Sequence, residues 1–554
     1  MTANLFDYFE DLSTREETPP RWAARAPRRP NGRFDIKLVP RAPDWEEDPD
    51  SVKALERLEG EPWVHSLMPT AGGVGLCVKD AWIETAGAAL EAGGSAQATL
   101  TDLAQGQRYS VQFWDANATK ALHIGHLRNL AIGNALAAAL AQAGAHLERR
   151  SLICDMGRAM GEAMAGVMHS GRHTEGWPGA DEKSDHFVGL CYADYVASGG
   201  VFSGGEMEPA EDSLSRELTL HNDSADELLS RVLGGDSEAL ELWYKTRAWV
   251  IAGQRKTLAR LGVSFDRVFF ESDFLPEAAE LTASGLREST LVQREDGVIV
   301  YATGIEDLEE LPLVRSDGLP TQHMRSLTYC MNAPELKDIV SLQVCGSEWV
   351  SHLACIEKLA AELRPELNGG FHPMHTIFHG MVAQQKRALA SSEGALLIDE
   401  LVEWIDGRLD EDRERYDVRR SHPAPEQVAA QIALGYFLPH PVAPRIDFEP
   451  ARLLSEEESL GWVLARARAT PGSHSMNMAT AVEDYDYRFA VIQSELYRRY
   501  LRLAVERFDI RPLAHYLKHL SIWYLERERG EPVERVVHTL LDRSARGLGL
   551  EAHP

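Results

Sequence analysis

Two histidines, His123 and His126, stand three residues apart around Ile124 and Gly125, with Lys120 three residues upstream and Asn117 three before that. Two imidazoles and an ammonium group so close together are donors suited to phosphate oxygens. The run lies between residues 109–114, which read as a strand, and residues 127–144, an Ala/Leu-rich helix closed by a glycine. At a helix N-terminus the free N–H groups and the dipole favour negative charge, and Gly125 lets the backbone approach a nucleotide. Nucleotidyl transfer, in which charge builds on a pentavalent phosphorus, is the chemistry that needs such a set. Lys120 alone would read as a solvated surface lysine and Asn117 as a turn or N-cap residue. Their place in the run raises both to candidates.

Residues 146–154 read as a second strand, so strand, loop, helix and strand form a βαβ unit, which builds a parallel sheet with its site at the carboxyl ends of the strands. Residues 1–50 are polar, with Pro, Arg and acidic clusters, and predict a poorly ordered beginning. An N-terminal additional domain follows over 51–106, including an amphipathic helix at 80–92 broken by Gly93 and Gly94. The first half of an α/β domain is expected over 107–169, a helical insertion over 170–245 and the second half over 246–400. That second half has strands at 268–270, 297–302 and 341–344 and a helix at 350–363. Residues 401–554 carry helical apolar spacing throughout, as at 460–469, 487–508 and 533–548, and predict an all-α domain.

The run Asp115-Ala-Asn117-Ala-Thr-Lys120-Ala-Leu-His123-Ile-Gly-His126-Leu-Arg128 resembles the class I arginyl-tRNA synthetases, whose pattern reads S-P-N-x-A-K-x-x-H-x-G-H-L-R. The likeness continues at Asp155-Met-Gly157, at residues 261–265 with Glu271 and Ser272, at 314–318, at 344–352 and at Phe378-His-Gly380-Met381-Val382, and spans roughly 60–550. It implies a Rossmann-like catalytic domain, an α+β N-terminal domain and a C-terminal helical anticodon-binding-like domain. It also implies ATP, with Mg2+ as its counterion, and an aminoacyl adenylate passed to tRNA. By resemblance Lys120, His123 and His126 are catalytic. Asn117, Gly125, Asn129, Phe378, Gly380, Met381 and Val382 would hold the nucleotide, helped by Lys386 and Arg387. The family's second signature, K-M-S-K-S, is largely lost in residues 385–394, so Lys120 becomes the principal cation.

The departures concern the amino-acid pocket. A buried guanidinium needs carboxylates and planar acceptors. The family supplies an acid, then a tyrosine and an aspartate four residues apart, at places aligned with Gln112, Gln322 and Ser326; a family glutamine aligns with Trp349. Asp115, Asn117, Asp155 and Glu271 complete the candidate pocket. Neutral residues at three of these places predict a substrate other than arginine. The tRNA side is eroded as well: Glu458-Ser-Leu-Gly-Trp462-Val-Leu replaces the family's T-G-P-Y-x-Q-Y.

With 57 Lys and Arg against 85 Asp and Glu, the net charge of −28 repels polyanions, so any nucleic acid must dock on a local basic surface. No run of eighteen apolar residues and no apolar leader core occur, which predicts a cytoplasmic enzyme without a membrane partner. The six cysteines lack paired spacing, predict no metal site and read as mostly buried thiols. Monomer and homodimer both stay open. Three readings stand: a tRNA ligase for another amino acid, a tRNA-independent amide-forming ligase using the same adenylate, and a catalytically inactive binding paralogue.

Overall fold

The structure is a computed structural model that describes residues 22–25, 29–30, 32–40, 45–46, 48–91, 100–170, 178–179, 182–198, 224–305, 308–332, 339–363, 374–384, 396–411, 418, 427–471, 481–526 and 530–551. Four strands, β1 (Trp22–Arg25), β2 (Ile36–Pro40), β3 (Val64–Thr70) and β4 (Gly73–Val78), form an antiparallel N-terminal sheet in the order β1-β2-β4-β3. Two of them fall in the stretch expected to be poorly ordered. Ile36 and Leu38 alternate inward in β2 and are buried, which gives this otherwise polar segment a core face.

The central sheet uses β5 (Arg108–Gln112), β6 (His146–Ile153) and β7 (Arg267–Phe270). A small antiparallel sheet of β8 (Val292–Gln293), β9 (Ile299–Ile305) and β10 (Leu308–Val314) stands apart from it. The central sheet is completed by β11 (Val340–Gly346) and β12 (His375–His379), in the order β12-β11-β5-β6-β7, and every pairing is parallel. The chain winds outward from β5 through β6 and β7, then crosses back to the other side of β5 for β11 and β12. This reversal leaves a crevice beyond the carboxyl ends of β5 and β11, where open parallel sheets take their ligands.

The helix Ile124–Gln142 connects β5 to β6, and every residue from Leu130 to Leu140 is buried. A helix apolar all round belongs between layers. One side lies on the sheet, where Phe113 fills the notch above Gly133. The other meets the helical region, with Asn134 Nδ2 donating to Gly549 O at 2.9 Å and Gln142 Nε2 to Arg543 O at 3.1 Å. The N-terminal sheet is latched to the same region by Arg488, whose Nη2 and Nε contact Asp35 at 2.7 and 3.0 Å.

Three further expectations change. The boundary drawn at 245/246 falls inside one uninterrupted helix, Ser237–Leu261, whose buried face runs past it from Trp243 to Leu258. The region beyond 401 is not wholly helical: β14 (Ile446–Phe448) pairs in parallel with β13 (Val382–Gln384), a crossing too short to leave a periodic signal. Of the six cysteines only Cys191 and Cys355 are buried, and the other four are half-buried.

A Cβ built on Gly133 would lie 2.2 Å from Phe113 Cβ. Gly133→Ala should therefore destabilise the chain by about 1–3 kcal/mol, the range for overpacking a closed core. An unchanged thermal midpoint would show that the helix shifts off the sheet freely.

Candidate active site

The helix that rests on the sheet starts at His123, whose backbone is extended (φ −118°, ψ 174°). Its ring Nδ1 accepts from Gly125 N at 3.2 Å, and the ring Nδ1 of His126 accepts from His123 N at 3.1 Å. Two imidazoles thus close a reciprocal cap of the kind usually made by Ser/Thr and Glu. Since Nδ1 accepts in both, a neutral ring must carry its proton on Nε2. Burial, with the charge of Lys120 nearby, lowers His126 from 6.5 to about 4, and burial with the neighbouring His126 and Lys120 depresses His123 as well. Both rings, 4.0 Å apart at their centroids, are neutral Nε2–H donors at pH 7.

The loop before this start is pinned from below. Asn117 bridges to Cys154 beside β6, and Ala118 N donates to Cys154 O at 2.9 Å. Gln254, fully buried on helix Ser237–Leu261, donates from Nε2 to Asn117 O at 3.1 Å and to Lys120 O at 2.8 Å. Asn117 itself is exposed, while Lys120 is half-buried with its Cβ side close to Gly189.

The segment expected to hold the nucleotide is fixed to the same helix. Arg128, 1% exposed, donates from Nη1 to Gly380 O (2.6 Å) and Pro444 O (3.1 Å), and from Nη2 to Pro441 O (2.7 Å) and Val442 O (2.9 Å). Burial pulls its pKa down to about 10, which leaves it charged. Asn129 Oδ1 bonds the Nε2 of His379, between Phe378 and Gly380. Phe378 is half-buried at the end of β12, Met381 is exposed, and Val382 opens β13 opposite Ile446. Lys386 and Arg387 lie outside the described residues, but both flanks of their segment are anchored: Gln384 pairs in β13, and Leu396 O accepts from Ile124 N at 2.9 Å.

The pocket candidates divide. Gln112 (3% exposed) and the half-buried Asp115 meet at the carboxyl end of β5, with Gln112 Nε2 donating to Asp115 Oδ2 at 2.8 Å. Asp155 is fully buried. Its carboxylate takes Arg247 Nη1 and Ser272 Oγ, both at 2.7 Å, and Ser272 N at 3.0 Å. Glu271 forms a buried pair with Arg325 Nε at 2.6 Å, both side chains 2% exposed. Gln322 and Ser326 are half-buried on helix Gln322–Asn332, which packs on that pair's segment. Trp349 stands 5.7 Å from His323 and 5.8 Å from His352, ring to ring. Asp155 and Glu271 are therefore bound to internal arginines, whereas Gln112 and Asp115 face the crevice end.

Sequence reading passed over Gln254, Arg325, Gln343 and His323. Nothing in a linear string separates a buried glutamine from a solvated one. Arg325 alone had a cue, one residue before the aligned Ser326. Among the described residues no group of three or more His, Cys, Asp or Glu is placed to hold a metal, and no helix is long and apolar enough to cross a membrane.

Burial, the largest cause in each case, also lowers His379 to about 4 and His323 to about 3 from 6.5. The unfolded chain takes up protons below about pH 6.5 while these folded rings stay neutral to about pH 4, so stability rises with pH across that window. The thermal midpoint should fall by several degrees between pH 6.5 and 4.5, and less in His323→Phe. A level midpoint in the parent chain would mean the rings are not held neutral.

A family model described as tRNA synthetases class I (R), catalytic domain, matches residues 94–415. An arginine–tRNA ligase of Amoebophilus asiaticus is 29% identical over 306 residues, covering 54% of this chain and 50% of that protein. One of Methanothermobacter thermautotrophicus is 28% identical over 332 residues, with coverage of 59% and 53%. The chain thus matches about half the length of these relatives. Thermus thermophilus arginyl-tRNA synthetase shares the fold, with a TM-score of 0.65 at 20% identity over 98% of this chain and 97% of that one. An arginyl-tRNA synthetase from Plasmodium falciparum does so at 0.62 and 14% identity, over 98% and 96%. Because the family model covers more than half of the 554 residues, and its two-histidine run caps the helix at the sheet's switch point, the chain belongs to the class I tRNA synthetases of the (R), arginyl, type.

Proposed function

We propose that the chain is a ligase that activates an amino acid other than arginine with ATP and passes the acyl group to tRNA. A carboxylate oxygen of the amino acid attacks the α-phosphorus, the bond to the bridging oxygen breaks, and pyrophosphate leaves with both electrons of that bond. A terminal tRNA hydroxyl then attacks the acyl carbon, the bond from that carbon to the phosphate oxygen breaks, AMP departs with its electrons, and the hydroxyl proton passes to AMP or to solvent. The observation that carries the reading is the pair of neutral imidazoles whose Nδ1 atoms are occupied by the helix start, with Lys120 beside them at the switch point. Fixed Nε2–H donors lose little reorganisation energy when charge develops on phosphate.

In this reading Lys120 supplies the principal charge and His123 and His126 hold the triphosphate, aided by Lys386 and Arg387. Asn117, Gly125, Asn129, Phe378, Gly380, Met381 and Val382 line the nucleotide, and Mg2+ arrives as its counterion. The altered pocket is read from Gln112, with Gln322 and Ser326 on the covering helix. A second reading, in which a small amine intercepts the adenylate, draws on the Glu458–Leu464 region. There Ser459 Oγ caps a helix by accepting from Trp462 N at 3.2 Å, and Trp462 is 6% exposed. These residues serve packing. Turnover in nuclease-treated protein with an amine acceptor would favour that alternative.

ATP–pyrophosphate exchange across the amino acids, with and without bulk tRNA, tests both. Lys120→Ala and His126→Ala should each lower exchange about a hundredfold, equivalent to ~3 kcal/mol of transition-state contact. Unchanged rates in either would remove its assigned role. Gln322→Tyr with Ser326→Asp should improve the use of arginine, and no gain would mean that those positions do not face the side chain.

A further inference from the structure

A parallel sheet covered on both faces ordinarily carries apolar side chains. One face of this sheet does not. Arg150, Gln112, Gln343 and Thr376 are register partners in four adjacent strands, and one pleat back Ser110 pairs with Ser341, their hydroxyls 3.1 Å apart. Arg150, Gln112 and Gln343 are 2%, 3% and 9% exposed. Together with Tyr329 and Cys330 of helix Gln322–Asn332, and with the exposed Glu357 of helix Val350–Leu363, they line a cavity of about 30 Å³.

The bonding of these groups fixes what they offer. Asp115 Oδ2 accepts from Gln112 Nε2 at 2.8 Å and from Gln343 Nε2 at 3.2 Å, while its Oδ1 accepts from Leu152 N at 3.1 Å. Both amides are therefore held by their nitrogens, and neither Oε1 has a hydrogen-bond partner among the described residues. Arg150 gives its Nε to Glu148 and also interacts with the Tyr329 hydroxyl, while its Nη2 has no hydrogen-bond partner among the described residues. Two buried amide oxygens and one buried guanidinium N–H thus line one cavity with their bonding unmet. Such atoms carry a desolvation cost with no return unless a ligand or water meets them.

We propose that this cavity receives the end of the amino acid's side chain, and that the substrate class is an amino acid ending in a neutral planar amide, either a carboxamide or a ureido group. The proposal rests on the reading that the chain activates an amino acid, and it names the acid's class. An amide NH2 donates to the oxygens of Gln112 and Gln343 while its carbonyl accepts from Arg150, so all three unmet atoms are used. A guanidinium would bring a second cation against Arg150. A carboxylate would set its charge against two amide oxygens already polarised by Asp115, and a hydrocarbon would satisfy none. The space suits a small group, since it corresponds to about two waters. The cavity lies on the face of the sheet over β6, β5, β11 and β12, beneath the helices Gln322–Asn332 and Val350–Leu363, and includes Gln112 at the carboxyl end of β5.

The test uses the full chain with glutamine, asparagine, citrulline, arginine, glutamate and leucine, read by calorimetric titration and by ATP–pyrophosphate exchange. At least one of the first three should bind and exchange about tenfold or more better than the last three. Gln343→Leu should raise KM for that acid about tenfold with a smaller effect on kcat and none on KM for ATP, a split that general misfolding would not produce. Gln112→Glu should shift preference toward arginine. If glutamate or leucine is preferred, the assignment of the cavity falls and the ligase reading stands; if arginine is preferred, the cavity assignment and the reading of a non-arginine substrate fall together and only amino-acid activation stands. Amide binding without exchange would leave the cavity assignment standing and overturn the ligase reading. If no acid binds or exchanges, the cavity holds water only and both fall.

Discussion

The helix Ile124–Gln142 must begin somewhere, and its first N–H groups need acceptors. His123 and His126 provide them through Nδ1, and every property of the site follows from that choice. An imidazole that accepts at Nδ1 keeps its proton at Nε2, so the cap sets the tautomer. Burial disfavours a second proton, so packing sets the charge. A serine or aspartate cap would hold the helix equally well but would leave no donor on the far edge of the side chain. Helix capping and donor presentation are here one arrangement.

The loop and strands around that start are held by long-range polar contacts rather than by local turns. Gln254 ties Asn117 and Lys120 from a helix more than a hundred positions away, and Arg128 gathers one carbonyl from the β12–β13 turn and three from the segment before β14. Gly380 has no room for a side chain, since a Cβ there would lie 2.5 Å from Ala443 O. The last strand of the sheet, the segment before β14 and the two-histidine run are thereby tied to one another. An arginine bonded only to neutral carbonyls contributes no ion pair, and its cost of burial is offset by the number and directness of those bonds.

Much of this was legible in the sequence, and the reason is periodicity. The helices Val350–Leu363 and Leu460–Ala469 lie where their apolar spacing puts them, and the strands flanking the two-histidine run fall within two residues of expectation. What stayed hidden has no period. Asp155 and Glu271 look like available carboxylates until the fold brings Arg247 from 92 residues away and Arg325 from 54. The three-residue strand Ile446–Phe448 is defined by its partner rather than by its own residues, and β1 sits in a polar stretch stabilised mainly by β2.

These hidden pairings bear on the departure from an arginine pocket. Alignment alone suggests that acids at positions such as Asp155 and Glu271 could compensate for the glutamine at 112. Once both are matched to arginines, they offer no charge to a ligand, because breaking the Glu271–Arg325 pair would strand a buried cation and breaking the Asp155–Arg247 pair a buried carboxylate, each at a cost of several kcal/mol. Asp115 remains, yet its oxygens are taken by two glutamine amides and a backbone N–H, and burial pushes its pKa up. Its influence reaches the crevice only through polarised amide carbonyls. On the proposed reading, amide acceptors beside a buried guanidinium would select for hydrogen-bond pattern rather than for positive charge. Such selection would separate the proposed pocket from one built for a guanidinium, while His123 and His126 keep their Nε2–H donors at the helix start.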